Sequence, residues 1–170
     1  MTYQIEHVST TDAAALSPVM MNAFSHDPHW RLLWAPLSQP LPLASIITST
    51  TARLPSNLTT GRSTKRHQKA IDSSTGRIVG YARWLLPEKC PAGLQWKDAQ
   101  VAEPTEEEKK EFERLYQGEV DKDGRLKGLN YEVMDKLSPA LEEAEEEILN
   151  SGVYLSRYLL EKEPQIQITM

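Results

Sequence analysis

Apolar and polar residues alternate at the start of the chain, in Tyr3-Gln4-Ile5-Glu6-His7-Val8, which predicts a strand with Tyr3, Ile5 and His7 on one face. The period then lengthens. Leu16, Val19, Met20, Ala23 and Phe24 fall at helical spacing within Asp12 to Phe24. Pro18 sits badly inside such a helix, so the pattern favours Ser17 as N-cap with Pro18 in the first position over a kinked first turn. The sharpest alternation comes later. His67 to Asp72 and Arg77 to Leu86 flank Ser73-Ser74-Thr75-Gly76, which predicts a hairpin with Gly76 supplying a positive φ. On its second strand, Ile78, Gly80, Ala82 and Trp84 are expected on one face and Val79, Tyr81, Arg83 and Leu85 on the other.

Two acidic helices are expected next. Thr105 and Glu108 form a capping box, Phe112, Leu115 and Tyr116 make the apolar stripe, and Gly118 ends the first helix. Ser138-Pro139 opens the second, with Leu141, Ala144 and Ile148 on one face and Asn150-Ser151-Gly152 as its stop. Its five glutamates between Glu142 and Glu147 read as a solvated face, with an acidic docking surface as the alternative. Val153 to Leu160 is the final strand candidate, and residues 161–170 read as a tail.

The stretches about 35–64 and 87–104 are expected as loops inside a single domain of residues 1–160. Prolines 36, 40, 42 and 55 punctuate the first. Leu43 to Arg53 has some helical character, weakened by Ile46, Ile47 and several threonines. Arg53, Arg62, Lys65, Arg66 and Lys69 form the one basic stretch, which reads as a solvated linker or as a loop over a ligand.

Composition narrows the class. Apolar residues are 39% of the chain, below the usual value, which predicts a thin core. The net charge of −5 argues against a general nucleic-acid partner, and no apolar run reaches the length of a membrane span. The first residues carry no secretory pattern, and Cys90 is the single cysteine, so the expected setting is cytoplasmic, with the nucleus also open. His26-Asp27-Pro28-His29 gathers two imidazoles and a carboxylate, but Pro28 spoils the helical spacing that ligation needs, and no metal is expected. Trp30, Trp34, Trp84 and Trp96 are many for this length. Core packing explains them most simply, and lining a pocket for an amine or aromatic substrate is the functional alternative.

Three segments resemble a known family. Ala23-Phe24 with Asp27-Pro28, the run Lys69-Ala70-Ile71-Asp72…Thr75-Gly76…Ile78-Val79-Gly80-Tyr81-Ala82-Arg83-Trp84, and Tyr154-Leu155 after an amphipathic helix are similar, in that order, to fungal-type members of the GCN5-related N-acetyltransferase (GNAT) family. The resemblance implies an α/β, or α+β-like, partial GNAT-type fold: a mixed central sheet containing the hairpin, with flanking helices. It implies acetyl transfer from acetyl-CoA to a small-molecule amine, with Trp30 and Trp84 near the acceptor. It stops at about Ser156.

The glycine-rich loop that receives the acetyl-CoA diphosphate in that family has no counterpart here, since Gly152 is the last glycine. The expectation is therefore a truncated chain that is inactive alone, with no assignable catalytic or cofactor-binding residue and at best millimolar affinity for acetyl-CoA. An uncovered edge along Tyr154 to Leu160 would promote self-association. From a different class, a non-catalytic binding or interaction module, or an accessory protein of a biosynthetic pathway, fits the same residues.

Overall fold

A computed structural model describes residues 2–34, 39, 41–86 and 95–147, and the backbone of 148–150 and 156–161. Four strands, β1 (Tyr3–His7), β2 (Lys65–Asp72), β3 (Ile78–Leu85) and β4 (Ser156–Glu161), form one sheet in the order β1-β2-β3-β4. Every described pairing is antiparallel, where a mixed sheet was expected. Between β1 and β2 run α1 (Ala13–Phe24), α2 (Pro28–Leu32) and α3 (Leu43–Thr59). Between β3 and β4 run α4 (Glu106–Gly118) and α5 (Tyr131–Asn150). The α/β character expected from the pattern is present. The expected strand end at Pro87, the thiol of Cys90, Tyr154-Leu155 and the tail beyond Glu161 lie outside the described residues.

The hairpin forms where alternation is strongest. Gly76 takes φ +67°, its N–H donates to the Asp72 carbonyl at 2.8 Å, and the Asp72 carboxylate accepts from the Ser74 N–H at 2.9 Å. Strict alternation fails at one point. Ile71 faces Ile78, but Ala70 faces Gly80, so Val79 is an extra residue on β3. The faces exchange across it, and Ile78 packs on the same core as Tyr81 rather than sharing a face with Gly80, Ala82 and Trp84.

That core joins Val8, Ala13, Leu16, Leu54, Leu58, Tyr81 and Val101, with Met20, Ala23, Phe24 and Ile78 packed against it. Helix α1 packs on β3, β4 and α3, and α4 packs on α3. Phe112, Leu115 and Tyr116, the expected stripe of α4, are half-buried. Its capping box is present: the Thr105 hydroxyl accepts from the Glu108 N–H at 3.2 Å, and the Glu108 carboxylate accepts from the Thr105 N–H at 2.8 Å.

Proline misleads the reading of three helices. Helix α1 begins at Ala13, with Pro18 in its interior, because Asp12 fixes the chain upstream of Ser17. The Asp12 carboxylate accepts from the Ser9 N–H at 2.8 Å and is gripped by the Lys69 ammonium at 2.8 and 2.9 Å. Ser17 is no cap. It is buried, and its hydroxyl donates to the Ala13 carbonyl at 2.8 Å. Helix α5 likewise starts at Tyr131, with Pro139 inside it.

The expected loop over residues 35–64 contains the 17-residue α3, which buries Ile46, Thr50, Leu54, Pro55 and Leu58 along one side. A run at i, i+4, i+8 and i+12 anchors it to the core despite unhelpful propensities. In the other expected loop, the described residues contain a 3-10 turn at Lys97–Ala99, entered through Trp96 at φ +46°.

The basic stretch is not a solvated linker. Arg66 is 2% exposed, and its guanidinium donates to the carbonyls of Gln95 (2.7 Å), Trp96 (2.9 Å), Arg62 (2.8 Å) and Lys65 (2.7 Å). Arg62 donates to the Val101 carbonyl at 2.8 Å and pairs with Glu103. These two side chains tie the start of β2 to the segment that precedes α4. Carbonyl acceptors compensate the desolvation of the buried Arg66 guanidinium.

Candidate functional site

The end of α1 and the short α2 bring three aromatic rings together. Asp27 caps α2, its carboxylate accepting the His29 N–H at 2.8 Å, and Pro28 occupies the first helical position. The Asp27 carboxylate is thereby committed to the backbone, and His29 lies beside it on the surface, its Nδ1 3.3 Å from the carboxylate oxygen. The cap turns Trp30 back onto Phe24, with ring centroids 6.2 Å apart and planes inclined by 16°. One helical turn on, Trp34 meets Trp30 at 5.6 Å and 54°.

Arg31 locks this corner by donating from Nε to the Ser25 carbonyl at 2.8 Å. The three aromatic rings are each half-buried. The indole N–H of Trp34 is buried and has no acceptor among the described residues. The corner thus offers half-buried apolar ring surface, suited to stacking a flat ligand.

Trp84 is placed elsewhere. It alternates with Tyr81 on β3 and so lies on the sheet face away from the α1 core, half-buried. It meets Trp96 at 5.3 Å, and its indole N–H donates to the Gln68 side chain at 3.2 Å. The sequence reading put Trp30 and Trp84 near one acceptor; they belong to two separate aromatic groups.

A third group was not singled out from the sequence. His67 is 2% exposed, and its Nδ1 lies 2.7 Å from the Tyr81 hydroxyl, the rings stacked at 6.0 Å and 20°. Burial, and then the positive charges of Arg83, Lys65 and Arg66, push the imidazole down to about 4, so it is neutral near pH 7. Burial holds the Tyr81 hydroxyl well above its ordinary range, so it remains a phenol. The Nε2 atom of His67 is buried and has no partner among the described residues. Tyr81 belongs to the apolar core, and the pair serves that core as a polar pin. Register was the missing signal: Lys69 faces Tyr81 and His67 faces Arg83, which makes His67 and Tyr81 diagonal neighbours on one face.

A cleft of about 120 Å³ lies between His7–Thr10 and Val101–Pro104, with Glu108 at its rim. It is far below the size that encloses a cofactor. Among the described residues no group of histidine, cysteine and carboxylate side chains converges as a metal site, and no helix is long and apolar enough to cross a membrane.

The residues can also be tested against acetyl-CoA. Its phosphates call for converging backbone N–H groups at a helix start. The longer described helices open after Asp12, Pro42, Thr105 and Asn130; α4 continues with Glu106, Glu107 and Glu108, and Glu132 stands in the first turn of α5. A carboxylate at the start of a helix repels a phosphate, and none of these starts is rich in glycine. The described residues do not fit the cofactor. In comparisons with family models, curated proteins and solved structures, nothing matches this chain.

Proposed function

We propose that the chain carries a GNAT-like sheet and helical region whose part in acyl-CoA-dependent chemistry is to hold the acceptor amine. The observation that carries this reading is the order of the elements. The segments that resemble the family's second and third strands form one hairpin with Thr75-Gly76 at its turn, and the strand that follows the acidic helices pairs beside it. The first two helices between β1 and β2 meet in the aromatic corner of Phe24, Trp30 and Trp34, in the early helical region near which the resemblance puts the acceptor. An amine bearing a planar ring would stack on the half-buried face of Trp30. The described residues do not fit acetyl-CoA. That misfit favours a second reading, a non-catalytic binding module built on the same elements.

Tryptophan fluorescence titrated with a panel of aromatic and aliphatic primary amines tests the acceptor site. Saturable quenching by ring-bearing amines, lost in Trp30→Ala, is the expected result. A flat response across the panel would remove the acceptor reading. Parallel calorimetry with acetyl-CoA separates the two versions: micromolar binding would restore a catalytic role, and absent binding would leave the binding module.

A further inference from the structure

Helix α5 leaves the body of the protein after its second turn. Tyr131, Val133 and Met134 are half-buried, but from Pro139 to Glu147 every residue is exposed. Leu137 is 45% and Leu141 66% exposed, and no other element packs along this half of the helix among the described residues. Met134, Leu137, Leu141 and Ala144 recur at intervals of three, four and three, the spacing of a helix–helix seam, and Ile148 continues it in the sequence.

The charges beside that seam are of one sign. Glu142, Glu143, Glu145, Glu146 and Glu147 follow one another with no basic residue, because Lys136, the last cation of α5, is paired one turn back with Glu132 at 2.9 Å. Glu142 neighbours Glu145 and Glu146 along the helix, and Glu143 neighbours Glu146 and Glu147, so the spacing sets like charges side by side. The glutamates also crowd the C-terminal half of the helix, where the dipole favours cations. An exposed helix therefore carries both an uncovered apolar seam and uncompensated negative charge on its flanks.

We infer that this half of α5 docks a basic amphipathic helix of another protein. Leucine-type side chains of such a partner would fill the seam around Leu137 and Leu141, and its lysines or arginines would meet Glu145 and Glu147 at the edges. A second copy of this chain is a poor occupant, since it would bring the same glutamates to the same edges.

The probe is a synthetic amphipathic helical peptide of leucine and lysine, fluorescently labelled and titrated with the full chain at low and high salt. A peptide of the same composition in scrambled order is the control. The expected result is micromolar binding of the amphipathic peptide, weakened by salt. It should fall about tenfold or more in the double variant Leu137→Asp/Leu141→Asp and in Glu145→Gln/Glu147→Gln. All four positions are exposed, so the thermal melt of each variant should match that of the parent chain. Equal binding of the scrambled peptide, or by the leucine variant, would reduce the interaction to nonspecific charge and overturn the inference. Undiminished binding by the glutamine variant would overturn it as well. A dimer of the full chain in analytical ultracentrifugation that disappears in the leucine variant would assign the seam to a second copy instead.

Discussion

His67 stakes part of the protein's stability on staying neutral. In the unfolded chain its imidazole titrates near the ordinary value of 6.5, and in the fold it is depressed to about 4. Between those values the unfolded state binds more protons, so stability rises with pH and is lost as pH falls. The full contribution is present above about pH 6.5, and about 3 kcal/mol should disappear by the time pH has dropped through about 4. Urea denaturation across this range checks it, and His67→Gln should flatten that part of the profile. A His67→Gln profile as steep as the parent's would show that another group carries the dependence. Asp12 acts in a lower window. Burial raises its carboxyl, but the Lys69 ammonium and the Ser9 N–H and hydroxyl outweigh that and hold it below 3.8. Its contribution is present above that value and is lost as pH falls further.

At the scale of elements, α3 is the instructive case. Ile46, Thr50, Leu54 and Leu58 form a clean stripe, yet threonines and Pro55 conceal it in the sequence. The structure shows how the threonines are accommodated: Thr48, Thr51 and Thr59 each donate a hydroxyl to the carbonyl four residues back, at 3.0, 2.9 and 2.9 Å. Leu54→Ala should cost about 2–5 kcal/mol, because Leu54 is 3% exposed in the core, whereas Thr48→Ala on the exposed side should change stability by about 0.5 kcal/mol or less. Chemical denaturation of the two variants tests whether α3 is a core helix.

The hairpin, β1 and α4 were legible because alternation, Gly76 and the Thr105–Glu108 box act locally. The true starts of α1 and α5 were not, because Ser-Pro is a sound local start signal that tertiary anchoring overrode. Of the aromatic corner, Trp30 could be chosen from composition, but its stacking on Phe24 depends on how the Asp27 cap turns the chain. His67 and Tyr81 needed the strand register, which no local pattern supplies.

Over the whole molecule, order should be uneven. The buried cluster from Val8 to Val101 joins β1's end, α1, α3 and β3 in one body, while the distal half of α5 has no such support. Native-state hydrogen exchange should therefore show the amides of Leu137 to Glu147 exchanging through local opening and those of Tyr81 and Ala82 only through global unfolding. Equal protection of the two regions would mean that α5 is covered in solution. The two outermost strands add to this unevenness, since β1 and β4 each have one described neighbour. The carbonyl grip of Arg66 works the other way, fastening residues 62–66 to 95–96 across a long span of sequence.

The extra residue at Val79 makes the hairpin's tolerance of change depend on where the change falls. Val79 is half-buried, and replacing its side chain leaves the parity of the strand intact. Removing Val79 would restore regular alternation with Ile78 and Tyr81 still on one face, whereas removing Ala82, where β2 offers no bulge to absorb the change, would carry Arg83 and Trp84 each to the face opposite its own. In a library scanning both substitutions and single-codon deletions, Val79→Ala and the loss of Val79 should both remain folded, while the loss of Ala82 should cost about 2 kcal/mol more. Lineages descending from this chain could vary or lose the residue at this point, but the spacing from Gly80 to Trp84 would be held fixed.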